Sequence, residues 1–153
     1  MSESDNERTI KVFTIGYGGK NAHQFFTILK QAGIRKVVDI RLYNTSQLAG
    51  FTKKQDIEYF LQTIIGAEYI HLPIMAPTKQ LLNSYKKGLI NWQEYETQFN
   101  AIIAQRQVQK HLVPQDMDMG CFLCSEAKAN NCHRRLVAEY LAKVWQNVSI
   151  DHL

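Results

Sequence analysis

Short runs rich in β-branched and aromatic residues alternate with longer amphipathic segments along the whole chain. The runs cover residues 10–15, 36–41, 68–73, 119–124 and 148–153, and side chains of these types favour strands. The segments between them are long enough for the crossover helices that consecutive parallel strands need. The alternation therefore predicts a Rossmann-like α/β fold, a three-layer sandwich in which a mostly parallel sheet of about five strands carries helices on both faces.

Five segments are predicted to be helical from the spacing of their apolar residues and from the residues at their ends. They run from the candidate cap Asn21 to residue 32, over residues 57–65, between residues 77 and 88, from residue 92 to residue 106, and over residues 132–146. Residues 42–52 lack periodicity, and a stretch of that length without a regular pattern predicts a functional loop.

Length and composition favour a single soluble domain. The 153 residues are 45% hydrophobic and 21% charged, which is ordinary for a globular protein with one core. No apolar run approaches the roughly 20 residues that span a bilayer, and the acidic first residues do not resemble a secretory signal. We therefore expect a disordered tail over residues 1–8, one α/β domain over residues 9–153, a cytoplasmic location and no membrane partner. The oligomeric state is left open.

The formal net charge of +4 favours acidic partners, although no run of Lys and Arg is longer than two residues. A small anionic ligand or a nucleotide is the expected partner, and nucleic acid is an alternative. The three cysteines lie within 12 positions, from 121 to 132. In a cytoplasmic chain, an odd number of clustered cysteines indicates a metal site, a reactive thiol or a buried strand rather than a disulfide framework.

The glycine-rich turn between the first strand and the first helix superficially resembles a dinucleotide-binding fingerprint. Asn21 occupies the position of its third glycine, and the chain is too short for two nucleotide-binding halves, so we do not expect NAD binding. Two interpretations stay open. The turn is structural, or the main-chain N–H groups of its residues bind an anion at the start of the helix. The residues are Gly16, Tyr17, Gly18 and Gly19.

Asp39 and Arg41 end the second strand and project to the same face of it. Strands of a parallel sheet are usually buried on both faces, so charged residues are tolerated mainly at the carboxyl end, beside the crevice. The two residues could simply pair with each other. We favour a site in which Arg41 binds an anion or a carbonyl group and Asp39 is a base or an orienting group.

The cysteine cluster spans the fourth strand and the start of the last helix. Residues three apart on a strand point to opposite faces, so Cys121 and Cys124 cannot share a metal ion, and Cys121 is predicted to be a core residue. Cys124 lies near the end of the strand, on the same side as Glu126. Cys132 and His133 are placed in the first helical turn, after the predicted cap Asn131, where the helix dipole lowers the pKa of a thiol.

This cluster has three possible uses. Cys124, Glu126, Cys132 and His133 could bind zinc, but adjacent helical residues seldom point at one ion, so zinc is not favoured and the cofactor stays unknown. A metal-free site with a cysteine as nucleophile or as pocket lining is preferred, and a hydrogen-bonded structural cluster is the third reading. Arg134 is preferred over Arg135 to face the crevice, with Glu126 or a bound phosphate offsetting its unfavourable position at a helix start.

Taken together, these motifs resemble the domain-of-unknown-function 488 family over nearly the whole chain. They are Thr14-Ile-Gly-Tyr-Gly18, Val38-Asp-Ile-Arg41, Tyr69-Ile-His-Leu-Pro73, Leu123-Cys-Ser-Glu126, Cys132-His-Arg134 and Asp151-His-Leu153. The resemblance implies a small α/β domain and singles out Tyr17, Gly18, Asp39, Arg41, Cys124, Glu126, Cys132, His133 and Arg134. It does not supply an established reaction.

These observations lead to one hypothesis and two alternatives. The hypothesis is a small cytoplasmic enzyme, a hydrolase or transferase, that acts on an anionic substrate such as a nucleotide or a nucleic-acid-derived group. The ligand would be held by residues 16–19, Arg41 and Arg134, protons would be moved by Asp39, Glu126 or His133, and the nucleophile would be Cys124 or Cys132. The alternatives are a rhodanese-like thiol-based module and a non-catalytic nucleic-acid-binding domain.

Overall fold

The computed structural model describes residues 8–44 and 50–153, and in these residues five strands form one all-parallel sheet. The strands are β1 Ile10–Gly16, β2 Lys36–Asp39, β3 Glu68–His71, β4 Gly120–Cys124 and β5 Val148–His152. Their order across the sheet is β3-β2-β4-β1-β5. The predicted parallel α/β sandwich is confirmed, and the cysteine-bearing β4 occupies the centre of the sheet.

Five α-helices connect the strands in the described part of the chain. They are α1 Ala22–Ala32, α2 Lys54–Phe60 with a π-helical continuation Leu61–Ile65, α3 Lys79–Lys86, α4 Trp92–Arg106 and α5 His133–Trp145. Short 3-10 turns cover Gly50–Thr52, Pro73–Met75, Val108–His111 and Pro114–Met117. The loop predicted for residues 42–52 falls partly on residues 45–49, and the tail predicted for residues 1–8 falls almost wholly on residues 1–7. Both of these stretches lie outside the described residues.

Side chains at the helix starts explain where two of the helices begin. Asn21 accepts a hydrogen bond from the Gln24 N–H at 2.8 Å, and the Gln24 side chain accepts one from the Asn21 N–H at 2.9 Å. Asn91 and Glu94 form the same reciprocal pair at the start of α4. Each pair satisfies two main-chain donors that a helix start leaves without a helical partner, so the predicted cap at Asn21 is confirmed.

The cap predicted for the last helix is wrong. The N-cap of α5 is Cys132, in an extended conformation with φ −138° and ψ 140°, and its side chain makes no capping hydrogen bond. Asn131 therefore lies in the loop, and Cys132 precedes the first helical turn instead of belonging to it. The sulfur of Cys132 does not cap the helix and contacts another group, His133 Nδ1, instead.

Two hydrophobic clusters, one on each face of the sheet, form the core. One packs α1 and α2 against residues such as Phe13, Ile15 and Cys121. The other packs α3, α4 and α5 against residues such as Val12 and Phe122. Alternation of neighbouring side chains between the two faces follows from strand geometry. Cys121 is fully buried in the first cluster, as predicted for a core residue.

The carboxyl ends of β1, β2 and β4 meet at one edge of the sheet. Gly16 is in register with Cys124, and Asp39 is in register with Leu123. After β1 the chain passes to α1 on one face, and after β4 it passes to α5 on the other. Adjacent strands whose connections leave to opposite faces open a crevice between them, where α/β proteins bind ligands. None of the helices described is long and apolar enough to cross a membrane.

Candidate functional site

A cavity of about 610 Å³ lies at this edge of the sheet. Its volume falls in the range of small-molecule sites, roughly 300–1,000 Å³. It is lined by Tyr17, Arg41, Leu42, Tyr43, Pro77, Leu82, Tyr85, Lys86, Trp92, Tyr95, Ser125, Glu126, Asn131, Cys132 and His133. Five residues predicted for the site, at positions 17, 41, 126, 132 and 133, therefore line one cavity. The remaining predicted residues lie behind its wall or in the turn beside it.

Asp39 and Arg41 form a buried ion pair at the end of β2. Asp39 is fully buried and Arg41 is 5% exposed. The two oxygens of Asp39 accept from Arg41 Nε at 2.8 Å and from Nη2 at 2.6 Å. Such a two-point contact fixes both the position and the plane of a guanidinium group. Asp39 is therefore placed as an orienting group, one of the two roles foreseen for it.

Further groups complete the setting of Arg41. Its Nη1 and Nη2 donate to the side chain and the carbonyl of Thr52, at 3.1 and 2.6 Å. The Tyr69 hydroxyl donates to Asp39 at 2.6 Å, and the Asn44 amide donates to that hydroxyl at 3.1 Å. Burial, together with the charge of Asp39, raises the pKa of Tyr69, so Tyr69 stays a neutral donor. The Arg41 guanidinium also lies 5.5 Å from the centre of the Tyr17 ring, which is within cation–π range.

The glycine-rich turn after β1 packs against the loop after β4. The N–H groups of Tyr17 and Gly18 donate to the carbonyls of Cys124 and Ser125, at 3.2 and 2.9 Å. A Cβ atom on Gly16 would lie 1.5 Å from the carbonyl oxygen of Glu126, so only glycine allows this approach. Of the two interpretations of the turn, the structural one explains these contacts, because two of the N–H groups expected to bind an anion are already bonded within the protein.

Arg134 is buried beneath the cavity, at the junction of β1 and β4. It is 1% exposed. Nε donates to the Thr14 hydroxyl at 3.1 Å, and Nη1 donates to the sulfur of Cys124 at 3.1 Å. The same Nη1 donates to the carbonyl of Glu126, and Nη2 donates to that of Ala127. The expected contact between Arg134 and Glu126 is thus made by the main-chain oxygen of Glu126 and not by its carboxylate. Arg135, as expected, turns outward and pairs with Glu139 and Glu96.

Cys124 lies among groups that favour the thiolate form of its side chain. Burial by itself raises the pKa of this thiol, but three groups act the other way and hold the pKa below its ordinary value. They are the neighbouring thiol of Cys132, the Arg134 guanidinium and the main-chain N–H of Glu126. The hydrogen bond to Cys124, together with burial, raises the pKa of Cys132. The prediction that the helix start would lower the pKa of Cys132 is therefore wrong, and of these two thiols Cys124 is the one whose pKa is lowered.

His133 is held in one orientation on the cavity wall. Its Nε2 lies 2.7 Å from the carbonyl oxygen of Ile40, which can only accept, so Nε2 carries the proton. Nδ1 is then unprotonated and lies 4.0 Å from the sulfur of Cys132. The Phe99 ring packs against the imidazole at 5.5 Å. Burial is the main reason that the pKa of His133 falls to about 4, so the imidazole is neutral near pH 7.

One side of the cavity is an aromatic wall, formed by Tyr85 of α3 and by Trp92 and Tyr95 of α4. The Trp92 and Tyr95 rings stack at 5.1 Å with 20° between their planes, and Tyr85 lies 5.1 Å from Tyr95. The sequence predicted these residues only as members of two helical segments. The signal available in the sequence was that all three aromatic residues fall within 11 positions, in the insert between two strands.

The chemistry of the thiol cluster does not favour the zinc alternative. A zinc-binding sulfur coordinates the metal cation directly. The Cys124 sulfur already accepts a hydrogen bond from the Arg134 guanidinium, and the positive charge of that group would repel Zn²⁺. Across residues 8–44 and 50–153, no group of three or more His, Cys, Asp or Glu side chains is arranged to hold a metal ion.

Comparison with known proteins gives a family and no reaction. The family model described as "Domain of unknown function DUF488" matches residues 21–141, which include β2, β3, β4 and all the predicted site residues except those of the glycine-rich turn. No curated protein and no solved structure gave a significant match.

Proposed function

The chain belongs to the DUF488 family, and on that premise we propose that it is a small cytoplasmic enzyme, a hydrolase or transferase, acting on a nucleotide or a nucleic-acid-derived group. The observation that carries the proposal is the make-up of the cavity. The same cavity is lined by the aromatic wall, two cations, a carboxylate, a thiol and a neutral imidazole. The three free thiols agree with a reducing compartment.

The aromatic wall supports the binding of a flat ring. Tyr85, Trp92 and Tyr95 present stacked and tilted faces, and Tyr17 and Tyr43 also line the cavity. Stacking of one base on an aromatic side chain contributes about 1–3 kcal/mol and tolerates any base, since every base has a π-face. A nucleobase therefore suits this wall better than an aliphatic ligand of the same volume.

The cations supply the anion-binding part of the site. Arg41 and Lys86 both line the cavity. Asp39 and Thr52 hold the guanidinium of Arg41 in one plane. Nη1 donates one bond to Thr52 and carries a second hydrogen, which is the one proposed for a phosphate or carbonyl oxygen of the ligand. A guanidinium already fixed by the protein loses less entropy when the ligand binds.

Proton transfer is assigned to Glu126, which lines the cavity and is exposed. A carboxylate in that position can activate a water molecule or protonate a leaving group, the two tasks of a general acid–base catalyst. His133 is assigned the role of a neutral hydrogen-bond acceptor through Nδ1, given its low pKa. The candidate nucleophile for a transferase is Cys124, whose pKa is lowered, or Cys132, the thiol on the cavity wall.

Trp92 provides a direct test of nucleotide binding. The chain has two tryptophans, Trp92 and Trp145, so a Trp145→Phe variant reports on the cavity alone. Titration with nucleoside monophosphates should quench its fluorescence, and inorganic phosphate should bind far more weakly because it cannot stack. Nucleotides that leave both the fluorescence and the heat of mixing unchanged at millimolar concentration would refute the proposal.

A pair of matched variants separates stacking from a general loss of structure. Calorimetry on Tyr85→Leu should show nucleotide affinity reduced about 5- to 150-fold, the equivalent of about 1–3 kcal/mol of stacking. Tyr59→Leu is the control, since Tyr59 lies on α2 and is 63% exposed. Equal affinity of the two variants would place the nucleotide elsewhere.

The two alternatives predict different results in the same experiments. A nucleic-acid-binding module would bind oligonucleotides with an affinity that falls steeply with salt and survives Glu126→Gln. A rhodanese-like module would show one alkylation-sensitive cysteine of low pKa and would accept sulfur from a donor. The enzyme proposed here should lose turnover on Glu126→Gln while retaining its nucleotide affinity.

A further inference from the structure

Two main-chain carbonyls just beyond the end of β2, those of Ile40 and Arg41, lie where the strand ladder no longer supplies donors. Histidine side chains supply the donors instead. His133 Nε2 lies 2.7 Å from the Ile40 carbonyl oxygen, and His71 Nε2 lies 2.7 Å from that of Arg41. Since a carbonyl oxygen can only accept, both imidazoles donate through Nε2. The main chain that carries Arg41 is thus held by side chains from β3 and α5.

His71 shares one face of β3 with Tyr69, which lies two positions earlier. Both side chains are half-buried, while the other two residues of the strand are exposed. The Tyr69 hydroxyl donates to Asp39 at 2.6 Å, and Asp39 in turn holds the Arg41 guanidinium. One face of β3 therefore supports Arg41 twice, through the Tyr69 hydroxyl at the guanidinium end and through His71 at the main chain.

The main chain of Arg41 has both of its polar groups occupied. Its N–H donates to Asp39 Oδ1 at 3.1 Å, and its carbonyl accepts from His71. The residue lies outside regular secondary structure, so these contacts take the place of a strand ladder. A guanidinium meets a ligand oxygen at a defined point only when the backbone that carries it is also fixed, and a shift of about 1 Å is enough to weaken such a contact.

We propose that His71 is a positioning residue, which fixes the main chain of Arg41 so that the guanidinium meets the phosphate or carbonyl oxygen of the ligand at one place. Among the described residues, His71 does not line the cavity, so it acts on the ligand through Arg41 and not by contact. The identity of the ligand rests on the proposed function, whereas the placement of Arg41 can be measured without any ligand. The consequence is selectivity, because losing His71 should impair binding of a phosphate and leave stacking of a base intact.

The first test needs no ligand. The Nε–H group of Arg41 is buried and donates to Asp39 at 2.8 Å, so its exchange with water in ¹⁵N NMR spectra should be slow. His71→Leu removes the main-chain support and should speed this exchange about 10-fold, the equivalent of one net hydrogen bond. His71→Gln keeps an N–H of similar reach and should restore slow exchange. Arg41→Lys identifies the signal by its loss.

The second buried guanidinium is the internal control. Arg134 is 1% exposed, and its Nε–H donates to the Thr14 hydroxyl at 3.1 Å. A substitution that merely loosened the fold would speed exchange at both arginines. If His71 positions Arg41, exchange at Arg134 should be the same in His71→Leu as in the wild type.

The second test compares a nucleoside monophosphate with the matching nucleoside, which has the base and no phosphate. In the Trp145→Phe background, His71→Leu should weaken binding of the monophosphate at least about 10-fold, as expected for one charge-assisted hydrogen bond. Binding of the nucleoside should change less than about 2-fold, since stacking does not involve Arg41. His71→Gln should bind both ligands like the wild type, and so should His23→Leu, a control on the exposed side of α1.

A substitute is at hand if His71→Leu does not fold, as judged by circular dichroism. His71→Asn keeps a polar side chain that is too short to reach the Arg41 carbonyl, and it should show the same two effects. In the wild type at mildly alkaline pH, imidazole ¹⁵N spectra should show a protonated Nε2 on His71. An unprotonated Nε2 would overturn the inference without any variant.

The remaining failures can be told apart. Unchanged exchange at Arg41 in a folded His71→Leu overturns the inference, and so does an equal change at Arg134. Equal losses of nucleoside and monophosphate affinity would show that His71 acts on the fold in general and would also overturn it. A wild type that binds neither ligand, while exchange at Arg41 alone responds to His71→Leu, refutes the proposed function and supports the positioning role.

Discussion

Two buried guanidinium groups lie close to the cavity, and they have different partners. Arg41 is paired with a carboxylate at 2.6 Å, whereas Arg134 is paired with a sulfur at 3.1 Å. The two oxygens of Asp39 hold the Arg41 guanidinium in one orientation through two hydrogen bonds. The partner of Arg134 is a thiol, whose pKa is held below its ordinary value by Cys132, Arg134 and the Glu126 N–H. Arg41 therefore suits a fixed ligand contact, and Arg134 suits control of the reactivity of Cys124.

Removing the carboxylate beside Arg41 should be costly. Asp39→Asn leaves a buried guanidinium without its anion, and breaking a buried pair typically costs about 3–5 kcal/mol of unfolding free energy. Glu139→Gln removes one side of an exposed pair with Arg135 and should cost less than about 1 kcal/mol. Urea denaturation of the two variants measures the contrast. A loss below 1 kcal/mol for Asp39→Asn would mean that Arg41 does not depend on this pair.

His133 should make the fold sensitive to mild acid. Its pKa is about 4 in the folded protein against 6.5 ordinarily, so between these values the unfolded chain binds the proton and the folded chain does not. Stability must then rise with pH across this window and fall on acidification from pH 6.5 to 4. His152, whose pKa is lowered mainly by burial, contributes in the same direction.

The measurement is the free energy of unfolding at a series of pH values, for the wild type and for His133→Gln. The variant keeps a side-chain N–H for the Ile40 carbonyl but cannot be protonated. Its loss of stability between pH 6.5 and 4 should be smaller than that of the wild type by up to about 3 kcal/mol. Parallel curves for the two proteins would contradict the assigned burial of His133.

At the scale of elements, the site depends on three connections that meet at the carboxyl edge of the sheet. The turn after β1 and the loop after β4 are bonded to each other, and the segment after β2 contributes Arg41. The fourth contribution comes from the opposite side of the crevice, where α3 and the start of α4 supply the aromatic wall. Periodicity predicted both helices, but it could not indicate that their aromatic residues face a cavity.

The tight approach of the first two connections gives a prediction about glycine. Gly16→Ala would place Cβ at 1.5 Å from the Glu126 carbonyl oxygen and 2.4 Å from Arg134 Nη1. The main chain of one connection must then move, which should cost at least about 2 kcal/mol and disturb Arg134. Gly50→Ala is the control, since no described atom lies within 4 Å of the added carbon. Thermal denaturation compares them, and equal melting temperatures would show that the loop after β4 yields easily.

At the scale of the whole molecule, the strand order creates the site. In the sheet β4 lies between β2 and β1, although it follows both of them along the chain. Gly16, Asp39 and Cys124 therefore lie at the carboxyl ends of three neighbouring strands. The connections after β1 and β4 leave to opposite faces, and the crevice between them is where Tyr17, Glu126 and Cys132 reach the cavity. A fold that inserted β4 at an edge would have the same elements and no such site.

The sequence by itself determined the elements, the parallel class of sheet and the place of Cys121 in the core. Each of these follows from local periodicity and from residues at helix ends, as with the Asn21 capping pair. It also placed Arg41, Glu126, Cys132 and His133 near one another, because the carboxyl ends of parallel strands meet at one edge.

Only the tertiary structure decided which thiol has the lowered pKa, what Arg134 binds and what encloses the ligand space. The pKa of Cys124 depends on Arg134, which lies ten positions further along, and on Cys132, and both act through burial that no local pattern reports. The aromatic wall lies more than 40 positions beyond Arg41 in the chain. Long-range contacts of this kind depend on strand order and helix packing, and for that reason the alternation of elements predicted the fold while leaving the chemistry of the cavity open.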